Sequence, residues 1–383
     1  MKTTIKSISG TIGKLRPFSF ASRTKRHIAL LLAYNGAEYR GLARQPRYLN
    51  TVEERLIQAM VLSRLIPPEI TTHQTAMTRA GRTDKGVSSV GNVLSVWLRS
   101  NQDADVKRGI VPFDDATTSM NDEQNLPSNT ASSSVDKPEL PYVLMLNQHL
   151  PSTIRVLAYS CVPPIFSARK DAISRTYEYT LPSHGINLVR LEAASRRFIG
   201  THDFSYFTEW AKDSRSYIRT MSSISFRKEQ YGSTGMIVVT ITAPSFVWHQ
   251  IRAMMTVLVR VAQGLEHEDV ITKMLMKEGC KPGFRPLFGL AAPMPLVLTN
   301  VEYPPGLLNW TSRHGGAGKR GVAQDWFRAV CEAKLWGDVS AHCTDVDDAV
   351  MWHDDVIAKA SRAGGLGTYA KIYERPVRPW GMA

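Results

Sequence analysis

Apolar positions along the chain come in short runs with clear punctuation. His27–Tyr34 (HIALLLAY) is almost wholly apolar and ends at Asn35-Gly36, which predicts a buried strand closed by a turn. Thr51 followed by Glu54 has the spacing of a capping box, and Ile57, Met60, Val61 and Leu65 then recur at helical intervals up to Pro67-Pro68. Val93–Leu98 and Arg175–Leu181 are further strand candidates, and Tyr142–Leu146 is an apolar segment. Leu188–Ile199 predicts a helix. Ser222–Phe226 and Met236–Thr242 predict paired strands around Tyr231-Gly232-Ser233. Phe246–Val261 predicts a long apolar helix, and Pro295–Tyr303 a last strand. Strands and helices in this mixed order predict an α+β fold rather than a doubly wound sheet.

Three stretches break the pattern. Residues 1–26 hold seven Lys or Arg, many Ser and Thr, and no acid; Glu38 is the first acidic residue. That composition resembles a mitochondrial transit peptide and lacks the apolar core of a secretory signal. A basic arm that touches RNA is the other reading. Asn101–Pro141 is acidic, rich in Ser, Thr and Asn, and poor in apolar residues, which predicts a loop insertion that repels phosphate. Residues 304–383 are rich in Gly and Trp, and their pattern places them in no core. The expected organisation is therefore a targeting segment at 1–26 and an N-terminal lobe at 27–160 that carries the insertion. A C-terminal lobe at 161–303 and an extension at 304–383 follow.

Composition narrows the function. The 383 residues are 43% hydrophobic and 21% charged, ordinary globular values. No apolar run approaches the roughly 18–20 residues of a membrane span. Four cysteines without a CxxC pair signal neither a disulfide scaffold nor a zinc site. The excess of 47 Lys+Arg over 34 Asp+Glu, a net +13, points to phosphate-rich partners.

The densest chemical signal is Arg79-Ala80-Gly81-Arg82-Thr83-Asp84-Lys85-Gly86-Val87. Two glycines bracket a short charged loop and permit tight turns and close approach of a bound backbone. Arg82 and Lys85 can hold phosphate, and their charges favour an ionised Asp84. Such a carboxylate can serve as nucleophile or base. A local Arg–Asp ion pair with an Asp cap satisfies the same pattern. No Gly-Lys-Ser/Thr follows, so this is not a phosphate-binding P-loop.

The stretch Ala80–Val87 resembles the signature loop of TruA-type tRNA pseudouridine synthases. Four more blocks resemble that family in the same order. They are Tyr34–Gly41 (YNGAEYRG), Phe166–Arg169 with Ser174–Tyr179, Gly200–Phe207 (GTHDFSYF) and Phe246–Arg252 (FVWHQIR). The resemblance runs from about His27 to Tyr303. It implies a two-lobed pseudouridine synthase fold, with mixed sheets flanked by helices and a central basic cleft. It also implies a cofactor-free isomerisation of uridine to pseudouridine in RNA. By the same resemblance Asp84 is the catalytic carboxylate, Tyr177 stacks on the target base, and Arg252 pairs with the carboxylate. Arg82 helps displace the nucleotide, as chemistry on a stacked base requires. Thr83, Lys85, Arg175 and His249 are expected against the RNA, and Leu296 against the uracil.

Lys85 and the Trp248–Arg252 block look like the eukaryotic branch that acts on the anticodon arm of tRNA. Leu42 departs from the family, which often has Trp there. The expected partners are RNA, with tRNA ahead of ribosomal RNA, and a second copy of the chain as a homodimer. Protein partners at 101–141 or 304–383 are a further expectation, and no membrane, metal or cofactor is expected. The expected location is the mitochondrial matrix, with cytoplasm or nucleus as the alternative. An organellar rRNA enzyme and an RNA-binding ribosome assembly factor that keeps the fold remain as rival readings.

Other features are read structurally. Asp203 is expected as a cap, His342, Cys343 and His353 have no ligand spacing, and Gly315–Gly321 reads as a flexible basic loop. The tail tryptophans read as a docking surface.

Overall fold

The computed structural model describes residues 18–45, 48–68, 76–113, 137–208, 216–231, 234–280, 284–312 and 377–379. His342, Cys343, His353, Gly315–Gly321 and the tail tryptophans beyond Trp310 lie outside them. The chain divides into two compact units, residues 1–173 with 301–329, and residues 174–300 with 330–383. The architecture is α+β.

In the first unit, β1 (Thr24–Tyr34) is the centre of an antiparallel sheet. It is followed by α1 (Val52–Leu62), the two-residue β2 (Thr78–Arg79) and β3 (Ser88–Ser100). After these come β4 (Ile110–Pro112), α2 (Tyr142–Asn147) and β5 (Ile154–Cys161). β1 pairs with β3 on one side and with β5 on the other. Ile28, Leu30, Leu32 and Tyr34 pack against Leu56 and Met60 of α1 and Tyr142 and Leu146 of α2. The intervening Ala29, Leu31 and Ala33 are buried too, so both faces of β1 are covered. That explains a run with no polar alternation. Thr51 caps α1 by accepting from the Glu54 amide at 3.3 Å. The helix stops at Leu62, short of the prolines, because Arg64 takes a left-handed conformation (φ 53°).

The acidic segment is ordered at both ends, contrary to a loop over all of 101–141. Ile110–Pro112 adds a strand to β1, and the Glu139 carboxylate accepts from Ser100 Oγ (2.8 Å) and Asn101 N (3.1 Å). Its middle, 114–136, lies outside the described residues. Phe18–Arg26 of the basic N-terminal stretch belongs to this unit as well, through β1 and the Phe18–Phe20–Phe113 ring contacts.

The second unit opens with β6 (Ser174–Pro182), α3 (Leu188–Arg196) and a hairpin of β7 (Gly200–Asp203) with β8 (Ile218–Met221). β9 (Ser223–Tyr231), β10 (Thr234–Ala243), α4 (Gln250–Ala262) and α5 (Asp269–Met276) follow. β11 (Phe284–Pro286) and β12 (Leu296–Glu302) complete it. The sheet order is β12-β6-β10-β9. The pairing of Ser222–Phe226 with Met236–Thr242 is present, with Phe226 opposite Val239. α4 is buried along nearly its whole length and packs on α3. In the tail, Thr311–Ser312 pairs with β5 and Val377–Pro379 with β11, so two short pieces of it do join sheets. Among the described residues no helix is long and apolar enough to cross a membrane.

Candidate active-site residues

The charged loop sits in the first unit between β2 and β3. Arg79 at its entrance forms a two-pronged ion pair with Glu53, through Nε to Oε2 at 2.9 Å and through Nη2 to Oε1. Glu53 is fully buried in the first turn of α1 and also accepts from Arg44 N at 2.7 Å. A carboxylate suits that turn because free amides there carry partial positive charge. Asn92 of β3 clamps Gly81 from both sides. Its Oδ1 accepts from Gly81 N (3.3 Å) and its Nδ2 donates to Gly81 O (3.0 Å). The same Nδ2 donates to the Tyr34 hydroxyl, which pairs with Thr83 Oγ1 at 2.8 Å. Burial pushes the Tyr34 phenol up to about 12, so it stays protonated.

Asp84, Lys85, Gly86 and Val87 form a turn closed by Val87 N donating to Asp84 O at 3.1 Å. Gly86 at φ 82° takes the position that a type II turn reserves for glycine. Thr83 is buried, Asp84 is half-buried, and Arg82 and Lys85 are exposed. The loop therefore presents one carboxylate between two solvent-facing cations.

The 36–42 segment holds that loop against α1. Leu42 N donates to Thr83 O (3.1 Å) and Gly86 N to Tyr39 O (3.2 Å). In the other direction Gly41 O and Leu42 O accept from Val52 N and Glu53 N, satisfying the first free amides of the helix. A side chain at Gly41 would stand 2.8 Å from Thr83 O, and Gly41 has φ 95°. Gly36 is equally confined, 2.0 Å from Val87 O by the same measure. Leu42, where the family often has Trp, is buried in the core.

In the second unit Tyr177 lies on β6 opposite Ile241 of β10 and is 9% exposed. Its ring meets Phe246 edge-on at 5.3 Å. Arg175, two residues earlier on the same strand, is buried and donates through Nη1 to Pro244 O at 2.6 Å. The chain from Pro244 to His249 thus folds back over the start of β6. It is not helical, contrary to the expected helix from Phe246. His249 adopts φ 64°, which a right-handed helix forbids, and α4 starts at Gln250. Gln250 Oε1 accepts from Val247 N at 2.9 Å and closes the turn. Trp248 is left 49% exposed at this corner.

Arg252 is buried. Its Nε donates to Ala291 O at 2.7 Å and its carbonyl accepts from Ala291 N at 3.3 Å. Thr256 Oγ1 donates to Gly289 O at 3.0 Å and pins the same loop. Burial, then the charges of Arg252 and Arg285, push the His249 imidazole down to about 3, so it is neutral at physiological pH. Arg285 is held by Thr208 O, and Thr208 Oγ1 donates to Trp248 O at 2.6 Å.

Leu296 begins β12 and is buried. Thr180 N donates to Pro295 O (3.2 Å) and Thr299 Oγ1 to Thr176 O (3.1 Å). These bonds set β12 antiparallel to β6 and put Leu298, not Leu296, level with Tyr177. Asp203 caps the 3₁₀ turn Ser205–Phe207 by accepting from Ser205 N at 2.8 Å. Burial raises its pKa, but bonds from Lys277 and Ser205 outweigh this and the net shift is downward.

The structure thus gathers Arg82, Thr83, Asp84 and Lys85 in one loop of the first unit. In the second unit, Arg175 and Tyr177 share one strand and His249 and Arg252 one helix start. Sequence reading missed Tyr34, Asn92 and Glu53, which hold the loop. Asn92 was the available signal, an amide inside a run of strand-forming residues. Among the described residues no group of three His, Cys, Asp or Glu could hold a metal ion.

Comparison with known proteins places this arrangement. A family model described as tRNA pseudouridine synthase matches residues 194–304. A tRNA pseudouridine(38/39) synthase of Bos taurus is 34% identical over 77% of this chain and 59% of its own length. That of Saccharomyces cerevisiae is 33% identical over 76% and 60%. The chain therefore spans about three fifths of these relatives. A probable tRNA pseudouridine synthase of Caenorhabditis elegans is 31% identical over 78% of this chain and 72% of its own length. With likeness of that extent, and with the signature loop folded into the first unit, the chain belongs to the TruA family of tRNA pseudouridine synthases.

Proposed function

We propose that this protein isomerises uridine to pseudouridine in tRNA, at the anticodon-arm positions 38 and 39 for which its cattle, human and yeast relatives are named. The observation that carries this reading is Asp84: a half-buried carboxylate on a loop fixed by Tyr34, Asn92 and Gly41, between exposed Arg82 and Lys85. In the proposed reaction Asp84 either attacks C1′ and displaces N1, to be displaced in turn when C5 joins C1′, or removes a ribose proton as the N1–C1′ bond breaks and returns it when the base rejoins. The freed base turns, C5 bonds to C1′, the C5 proton is lost and N1 gains one. Nothing is oxidised or reduced.

Arg82 and Lys85 hold flanking phosphates, and Thr83 keeps Asp84 in place. Tyr177 stacks on the base, Arg252 pairs with the carboxylate, and Arg175, His249 and Leu296 shape the pocket around it. The protein acts as a homodimer in the mitochondrial matrix. The basic, acid-free stretch over residues 1–26 supports that location.

The test is pseudouridine formation by purified protein on unmodified cytosolic and organellar tRNAs and rRNA fragments, beside Asp84→Asn. Product at tRNA positions 38 or 39 with wild type alone is expected. Product confined to rRNA, or equal inertness of two proteins that both bind RNA, overturns the reading.

A further inference from the structure

Among the described residues two large aromatic side chains lie exposed, Tyr48 and Trp248. The Tyr48 ring carries the Arg40 guanidinium at 4.2 Å. Trp248, at the corner before α4, keeps 49% of its surface exposed after all the contacts it makes. A large ring left half in water forgoes burial that would stabilise the fold. The corner nevertheless holds this ring still. Thr208 Oγ1 donates to Trp248 O at 2.6 Å. Val247 N donates to Gln250 Oε1 at 2.9 Å, and Gln250 N donates back to Val247 O at 3.2 Å. Gln250 is itself buried, with its Nε2 against the sulfurs of Met221 and Met254. On the other side, His249 sits at φ 64° and its carbonyl accepts from Ala253 N at 3.0 Å.

The backbone is thus fixed on both sides of the indole, and the His249 ring lies 4.2 Å from it, tilted by 33°. An aromatic side chain on a fixed backbone loses little freedom when another ring stacks on it. The neighbours of the corner are the residues that the proposed reaction uses. Phe246, two residues before Trp248, meets the Tyr177 ring edge-on at 5.3 Å, and Arg175 of the same strand holds Pro244 O. After burial, what lowers the His249 pKa is the positive charge of Arg252 and then that of Arg285. The corner therefore runs from the side chain placed on the target base to the one placed on the carboxylate, through positive surroundings.

Those surroundings select the occupant. Positive charge draws a phosphate chain and disfavours a basic partner, including a second copy of this chain at net +13. Every nucleobase has a face that stacks on an aromatic ring, and an unpaired loop leaves such faces open. Drawing a uridine out of its stack also uncovers the bases on either side of it. We propose that Trp248 stacks on a base flanking the target uridine and so holds the RNA in register while that uridine is turned out. This rests on the tRNA reading above.

The experiment is a double-mutant cycle between protein and RNA. Wild type and Trp248→Ala are titrated with an anticodon stem-loop that carries the target uridine. Both are also titrated with the same stem-loop lacking the base on the 5′ or on the 3′ side of that uridine. Thermal melting checks the fold, and sedimentation checks the oligomeric state. On the intact RNA Trp248→Ala should bind roughly tenfold more weakly, the worth of one base–aromatic stack. At one of the two flanks the missing base should weaken wild type by a like factor, and the two losses together should cost no more than either alone. Trp248→Phe keeps a ring and should retain most of the affinity, whereas Trp248→Leu keeps only apolar bulk and should behave as Trp248→Ala. Binding of the intact RNA by Trp248→Ala within about twofold of wild type overturns the proposal. A loss that is undiminished on both abasic RNAs also overturns it, because the indole then acts on no flanking base. So does a Trp248→Leu protein that binds as wild type does. A change of oligomeric state without coupling to either base assigns the ring to a second copy instead. Binding is read without turnover. Coupling in a wild type that makes no pseudouridine sinks the reaction and keeps the stack, and product without coupling sinks the stack alone.

Discussion

The Tyr34 hydroxyl lies 2.8 Å from the Thr83 hydroxyl, so the last residue of β1 is tied to the residue before Asp84. Asn92 Nδ2 completes the contact at 3.1 Å and reaches on to Gly81. A strand buried on both faces thus serves as the ruler for the loop. Tyr34→Phe removes the hydroxyl and little volume. It should cost about 1–2 kcal/mol in chemical denaturation, leaving Asn92 and Thr83 short of a partner. Single-turnover pseudouridine formation should slow about tenfold, with KM within twofold, because the loss is of positioning. Full turnover in Tyr34→Phe would show that Asp84 does not depend on this anchor.

Gly41 offers a sharper probe. An added methyl would meet the Thr83 carbonyl, which is backbone and cannot swing away, and φ is 95°. Gly306 has a similar φ of 79° with nothing within 4 Å of the added carbon. Both Ala variants carry backbone strain, on the order of 1–3 kcal/mol, but Gly41→Ala also displaces the loop. Its turnover should drop at least tenfold while Gly306→Ala stays near wild type. Equal activities would remove the close approach from the account.

Which features were legible in the sequence follows from the range of the forces involved. β1 and the β9–β10 hairpin were legible because burial and turn chemistry are written in neighbouring residues. The glycine-bracketed loop was legible for the same reason. Its supports were not, since Tyr34 is 49 residues from Thr83 and Glu53 is 26 from Arg79. The helix expected from Phe246 begins at Gln250 because His249 takes a left-handed turn that apolar periodicity cannot signal. β5 escaped notice because Ile154–Cys161 interrupts its apolar residues with Arg155 and Ser160, although the strand is mostly buried. The ordered ends of the acidic segment were hidden by composition, which averages Ile110–Pro112 together with its charged neighbours.

Glu53 and Arg79 test how much of the loop's position rests on buried charge. Glu53 is wholly enclosed, and Arg79 is its two-pronged partner. Glu53→Ala strands the arginine and should cost about 3–5 kcal/mol, whereas replacing both partners with apolar residues of similar size should cost far less. The double variant Glu53→Met/Arg79→Met should therefore melt above Glu53→Ala. If the double variant melts lower, the pair is a net stabiliser and not chiefly a device for fixing geometry.

His249 sets an acid limit on the second unit. Its imidazole titrates at about 3 in the folded protein, through burial first and then Arg252 and Arg285, against an ordinary 6.5. Between those values the unfolded chain binds a proton that the folded chain refuses. Stability from this group is complete above pH 6.5 and falls as the pH drops, by at most about 1.4 kcal/mol per pH unit. Asn tolerates the left-handed backbone at this position and has no such titration. His249→Asn should match wild type to within a constant above pH 6.5. It should gain on wild type by roughly 2 kcal/mol between pH 6.5 and pH 5, read from urea midpoints. In the wild-type background Arg285→Gln removes one of the two neighbouring charges and should shift the NMR titration of His249 upward, shrinking the gap between the curves. Parallel stability curves for wild type and His249→Asn from pH 7.5 to 5 would mean that the imidazole titrates normally, and that the Arg252–Arg285 environment is open to water.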